Sequence, residues 1–243
     1  MKIEENAGKV TNKQKRNIKN NILRTIEETG FELLNEQVEP IIEIRSRRDF
    51  NKYLVGYQKA YVGGEFMVNH IIVETSLTYR AFPCEQKEVS NYITKFLLAN
   101  NEIEVINKYN LQPFLMYVQT IDRTFIDKVF AVCDYFEENT SHRYSRHIYD
   151  IHMIWKSGQI NFEELKKLVP EIIEVRKLGN KTHSCKEGYH LIEVLEEIIS
   201  IEFYRKDYET NTKEFLSKEV SYHESINSLE EVIKSSIFPK VIK

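Results

Sequence analysis

The chain has 243 residues, is 42% hydrophobic and 29% charged, and carries a net charge of −3. That composition gives a soluble globular chain with enough apolar material for a real core, arranged as one domain or two small ones. It excludes a global pull toward nucleic acid, so any basic site must be local; no run of about 18 apolar residues marks a membrane span, and the N-terminus lacks the apolar stretch of a secretory signal.

Residues 1–10 are polar and expected to fray. Thr11 is placed to cap a helix running to about Thr29, with Gly30 as its stop. Ile18, Ile22, Leu23 and Ile26 form its apolar stripe, and Lys13, Lys15, Arg16 and Lys19 make its first half basic, the unfavourable end for cations in a helix dipole. A solvated face accounts for this, and so does a phosphate-facing surface that Arg45, Arg47 and Arg48 extend. The β-branched run Ile41–Ile44 after Pro40 predicts a short strand, Tyr53–Tyr57 a second, and Val62–Glu65 a turn. Met67–Leu77 is the best strand in the chain. Residues 87–99 then alternate at helical period through Val89, Ile93, Phe96 and Leu97. A further helix over Glu102–Tyr109 and a strand over Pro113–Gln119 follow.

Thr120–Trp155 organises the rest. It reads as two amphipathic helices joined by the polar loop Glu137–His142. Thr124 and Asp127 have the spacing of a capping box at the first helix's start. Phe125, Val129, Val132, Cys133 and Phe136 form that helix's apolar face. Tyr144, His147, Ile148, Ile151, Ile154 and Trp155 form the face of the second, with Arg143, Arg146, Asp150 and Met153 opposite. By themselves Arg146 and Asp150 have the spacing of an i,i+4 surface pair, worth about 0.2–0.5 kcal/mol, and Lys128 reads as solvated. His147, on the apolar face, reads as a packed histidine. Beyond Trp155 the chain is helical: Asn161 caps a helix whose Pro170 requires a kink or junction, and Leu191–Phe203, Thr212–Leu216 and Ile226–Ile233 supply further stripes. The fold class is therefore α+β, with a sheet-bearing first half (1–120) and a helical bundle (121–243). Cys84, Cys133 and Cys185 lack any CxxC spacing and read as reduced thiols. His70, His152, His183 and His190 show no zinc-ligand spacing with Asp, Glu or Cys.

Arg123-Thr124-Phe125-Ile126-Asp127-Lys128, followed by Ser145-Arg146-His147-Ile148-Tyr149-Asp150, resembles the C-terminal signature of the AbiEii/AbiGii nucleotidyltransferase toxin family, R-T-F-x-[DE]-K and R-H-x-Y-D. Weaker similarity reaches back to about Arg47. The resemblance implies a partial nucleotidyltransferase-like mixed sheet with helices in the first half. It also implies a toxin of an abortive-infection (phage-defence) toxin–antitoxin system, cytoplasmic, that moves a nucleotide from an NTP to an RNA acceptor such as tRNA with Mg²⁺. Its partners would then be the NTP, the RNA and a cognate antitoxin. Carried onto this chain, Glu74 is the third metal ligand of the family's acidic set, Lys128 meets the nucleotide phosphates with Arg146 and Arg123, and Asp150 braces or serves the reacting centre. Lys13, Arg16, Lys19, Arg47 and Arg48 are the candidate RNA-contacting cations. Glu74 itself lies in the apolar run Ile71–Ser76, either facing solvent or set beside a cation in a cleft.

The departure from the family is the missing G-[GS] turn and D-x-D. Before Glu74 the chain has one aspartate, Asp49, and Gly63-Gly64 precedes no acidic pair. The expectation is a front-shortened member whose 243 residues alone transfer no nucleotide. The alternatives are an inactive remnant that still binds nucleotide or RNA, and a helical interaction protein. For an active site, Lys128, Arg146 and Asp150 are expected to converge in one pocket that Glu74 also faces.

Overall fold

The computed structural model describes residues 10–58, 70–77, 82–179, 181–216 and 218–243. The chain divides into two units, Met1–Arg80 and Ala81–Lys243.

In the first unit, helix α1 (Asn12–Glu28) starts on a complete capping box: Thr11 Oγ1 accepts from the Gln14 N–H, and the Gln14 side chain accepts from the Thr11 N–H. It ends where Gly30 takes a φ of +73°, the left-handed conformation that glycine adopts without a Cβ clash. Strands β1 (Glu32–Leu33), β2 (Phe50–Gly56) and β3 (His70–Ser76) form an antiparallel sheet in the order β1-β2-β3. Tyr53 and Val55 of β2 are buried with Ile26 of α1, and Ile22, Leu23, Leu33 and Ile44 pack against them. The best predicted strand is thus β3, with residues 67–69 and the predicted turn Val62–Glu65 outside the described residues.

The predicted strand Ile41–Ile44 is not one. Two asparagine side chains instead bond the backbone within it and just after it, at Ile42 and Arg45. Asn35 Nδ2 donates to the Ile42 and Lys52 carbonyls while its Oδ1 accepts from the Leu54 N–H, and Asn51 accepts from the Arg45 N–H and donates to the Arg45 carbonyl. β-Branched content marked the segment as extended, but the side-chain bonds hold it as a loop.

The second unit opens with β4 (Cys84–Val89), followed by α2 (Tyr92–Ala99), α3 (Ile103–Lys108) and β5 (Phe114–Gln119). β4 and β5 form an antiparallel two-stranded ribbon from Cys84↔Gln119 to Val89↔Phe114. Residues 87–89, predicted as the start of a helix, therefore belong to a strand. The helix begins only after Asn91, whose Oδ1 accepts from the Thr94 N–H (2.8 Å). Every described strand pair is antiparallel, in two small sheets, where a mixed sheet was expected.

From Thr120 onward the unit is helical, as the periodicity predicts: α4 (Ile121–Glu137), α5 (Arg146–Lys156), α6 (Phe162–Lys177), α7 (Leu191–Ser200), the single turn α8 (Arg205–Asp207) and α9 (Tyr222–Lys234). A π turn, Tyr208–Thr212, follows α8. Asn161 caps α6 as predicted, and that helix runs through Pro170. The core centres on α4, whose Phe125, Ile126, Val129, Phe130, Val132 and Cys133 are wholly buried against the neighbouring helices. Trp155 of α5 stacks on Phe125 at 5.7 Å. No helix among the described residues is long and apolar enough to cross a membrane.

The ribbon is covered differently. Phe114, Leu115, Met116 and Tyr117 of β5 are all exposed, and because successive strand residues face opposite ways, both faces are bare there. On α2, Tyr92 is 88% exposed, and Ile93 and Phe96 are exposed as well.

The start of α4 is one turn earlier than the predicted capping box. Thr120 is the N-cap, its Oγ1 accepting from the Arg123 N–H (3.3 Å), while Thr124 lies inside the helix with its hydroxyl donating back to the Thr120 carbonyl. Thr120→Ala is expected to lower stability by about 1 kcal/mol, and Thr124→Ala to change it by no more than about 0.5 kcal/mol; urea unfolding of the two variants measures the difference.

Candidate functional site

α4 and α5 pack side by side, and the chain between them is fixed from far away in sequence. The N-cap residue of α5, Ser145, makes no side-chain cap bond of its own. Instead the buried carboxylate of Asp207, at the end of α8, accepts from the Arg143 N–H (2.8 Å), the Ser145 N–H (3.1 Å) and Ser145 Oγ (2.6 Å). Asn211 Nδ2 donates to the same carboxylate at 2.7 Å. An acid at a helix N-terminus also meets the positive end of the helix dipole. Burial pushes the Asp207 pKa up, but the hydrogen bonds from Ser145, Arg143 and Asn211 outweigh it and hold the carboxyl below its usual range. Arg143, in this loop, has a φ of +67°.

With α5 held this way, Lys128 of α4 and Asp150 of α5 meet. Lys128 Nζ lies 2.7 Å from Asp150 Oδ2, so the carboxylate pairs across the two helices rather than along one. Nζ is also 3.2 Å from His147 Nδ1. The His147 ring is stacked nearly parallel to Tyr135 (5.6 Å, 5°), and Tyr135 is stacked on Tyr144 (3.4 Å). Arg146 lies over the Tyr144 ring at 5.9 Å and is exposed. Burial, then the charges of Lys128 and Arg146, push the His147 pKa down to about 3. The imidazole is neutral at any ordinary pH. Asp150 thus meets the Lys128 ammonium, and the Arg146 guanidinium nearby has no carboxylate partner among the described residues, which leaves positive charge for an anion with several oxygens.

Arg123 is placed elsewhere. It is 3% exposed, donates from Nε to Asp127 Oδ2 (2.8 Å) and from Nη1 to the Phe82 carbonyl (2.9 Å). Asp127 also accepts from Arg176 Nη1 (3.0 Å), and Arg176 Nη2 reaches Asp134, which accepts from the Ser184 N–H and hydroxyl. Arg123 therefore belongs to a buried ion network that ties α4 to α6.

In the first unit, Glu74 stands opposite Lys52 in the β2–β3 register, its Oε1 3.0 Å from Lys52 Nζ. Of the two readings open for this acid, solvent-facing or set beside a cation in a cleft, the exposure matches the first: Glu74 is exposed, and its cation is a cross-strand partner that the period-two pairing of β2 with β3 would have found. Asp49 is paired with Lys15, which is only 8% exposed. Lys15 thereby leaves the basic face of α1, while Lys13 and Arg16 are exposed, Lys19 is half-buried, and Arg47 and Arg48 are exposed on the loop before β2. Among the described residues no three His, Cys, Asp or Glu side chains gather as a metal-ligand set. A magnesium site takes oxygen ligands; Glu74, the acid carried over to that role, offers its carboxylate to Lys52 here.

Asp207→Ala is expected to cost roughly 3 kcal/mol, since it leaves the buried donors of the α5 start unmet. The pH dependence follows from the sign of the shift. A carboxyl whose folded pKa is lowered contributes its stability above the unfolded pKa, and loses it as pH falls through the folded one. Urea midpoints of wild type should therefore fall steeply below about pH 4, and Asp207→Asn should flatten that limb.

No curated protein and no solved structure matches the chain. The family model for the nucleotidyl transferase AbiEii toxin of type IV toxin–antitoxin systems matches residues 9–234, and with nearly its whole length covered the chain belongs to that family.

Proposed function

We propose that the second unit binds the triphosphate of an NTP through Lys128, with Arg146 beside it and Asp150 holding the lysine in place. The observation that supports this reading is the ion pair Lys128–Asp150 between α4 and α5, with the exposed Arg146 guanidinium, which has no carboxylate partner among the described residues, on the same helix as Asp150. A lysine supplies a point charge with three donors, suited to a polyphosphate. In this reading Arg123 does not touch the nucleotide; it braces α4. As an AbiEii-family nucleotidyltransferase the chain would act on an RNA acceptor, such as the 3′ end of a tRNA. Lys13, Arg16, Lys19, Arg47 and Arg48 would offer the first unit's surface to RNA phosphates, in a cytoplasm shared with a cognate antitoxin.

Nucleotidyl transfer relies on positioning and on metal-borne stabilisation of developing charge. Glu74 is the one acid carried over to a metal, and its partner is Lys52. We therefore infer that the 243 residues by themselves bind nucleotide without turning it over, and that transfer needs carboxylates beyond Glu74.

Lys128→Ala is expected to weaken binding of ATP by roughly 10- to 100-fold, the range for a charge-assisted hydrogen bond, without lowering the melting temperature. Isothermal titration calorimetry reads the affinity, and equal affinity in the two forms would favour a helical interaction protein instead. With labelled NTPs, a mixed tRNA pool and Mg²⁺, the chain should yield no labelled RNA. Robust labelling that disappears in Glu74→Ala would refute the inactive reading and point to Asp49 as a second carboxylate.

A further inference from the structure

We infer that His147 is a positioning residue that aims Lys128, acting as a fixed neutral acceptor for the lysine's ammonium; the inference rests on the phosphate-binding reading of Lys128. An ammonium carries three protons and no lone pair. One proton goes to Asp150 Oδ2 (2.7 Å) and a second to His147 Nδ1 (3.2 Å). Among the described residues the third has no partner, and with two anchors set its direction is fixed. A lysine held only by Asp150 would pivot about that single contact on a four-carbon stem, so the second anchor converts a mobile charge into an aimed donor.

The chemistry of the contact sets the protonation state of the histidine. Because Lys128 can only donate, Nδ1 must be bare and the proton must sit on Nε2. The ring is buried and held parallel to Tyr135 at 5.6 Å and nearly so to Tyr144 at 6.1 Å, which restrains it from turning away. The groups facing it are Lys128 and Tyr135 from α4, and Tyr144, Arg146 and Asp150 from α5 and its leading turn. Asp150 lies 4.0 Å from Nδ1 and favours a charged imidazole, but its charge is already met by Lys128. Burial and the two cations act the other way and keep the ring neutral. A protonated His147 would lose its acceptor and repel the lysine, so depressing its proton affinity preserves the aim over the whole physiological pH range.

The test compares wild type with His147→Phe, which fills the space with no acceptor, and His147→Asn, whose Oδ1 stands close to the position of Nδ1. Calorimetric titration with inorganic tripolyphosphate at pH 7 should show roughly tenfold weaker binding for His147→Phe, the order of one hydrogen bond to a charged group. His147→Asn should recover most of it, and all three should melt alike. Wild-type affinity should be flat from pH 8 to pH 5. His147→Phe binding as tightly as wild type, while Lys128→Ala binds weakly, would overturn this inference and leave the phosphate reading standing. Lys128→Ala binding as tightly as wild type would overturn the phosphate reading and this inference with it. A measurement that needs no variant is the ¹⁵N shift of the His147 ring: Nδ1 unprotonated from pH 8 to pH 5 is expected, and a proton on Nδ1 would overturn the proposal.

Discussion

The second unit depends on the buried charge network along one stripe of α4. Arg123, Asp127 and Asp134 follow that stripe, and Arg176 from α6 bonds to both aspartates. Removing four charges from water is costly, and only dense mutual bonding offsets it. Here each carboxylate accepts from more than one donor, Asp134 taking the Ser184 N–H and hydroxyl as well. The network fixes the rotation of α4 about its own axis. Lys128 follows Asp127 by one residue, about 100° further round a helix of 3.6 residues per turn, so a helix clamped at Asp127 has no choice of where it sends Lys128.

Asp207 does the same for α5. A turn some sixty residues downstream sets the first turn of the helix that carries Arg146, His147 and Asp150. The candidate site is thus framed by three acids, Asp127, Asp134 and Asp207, through bonds to residues distant in sequence. Between them, the aromatic stack of Tyr135, Tyr144 and His147 fills the seam and lowers the polarity around the lysine, which strengthens any ion contact made there.

What the sequence revealed was local. The α1 cap at Thr11, the Gly30 stop, the Asn161 cap and the helix pair around residues 121–156 rest on contacts within a few positions, and each is where periodicity and capping chemistry put it. The misses came from competition that spacing does not encode. Ile41–Ile44 lost its strand to Asn35 and Asn51, and residues 87–89 joined β5 rather than α2 because pairing with a distant strand overrode a local apolar period. The α4 cap fell at Thr120 instead of Thr124, as both are threonines with plausible downstream neighbours. Lys128 and Asp150 were singled out by the family resemblance, whereas spacing alone paired Asp150 with Arg146 and not with Lys128 across the helices. The role of His147 was not legible, because an apolar face and a stacked ring look the same in one dimension whether or not a nitrogen meets an ammonium.

The bare ribbon of β4 and β5 has a practical consequence. Environment-sensitive dyes brighten when they find accessible apolar surface, and such brightening is commonly read as the mark of a loosened, molten state. Here Phe114 to Tyr117 and the outer side of α2 offer that surface while the helical core stays fully packed. The native protein will therefore fluoresce with these dyes from the start, and a thermal scan that relies on them will begin from a high signal that reports a strand pair, not a failing fold.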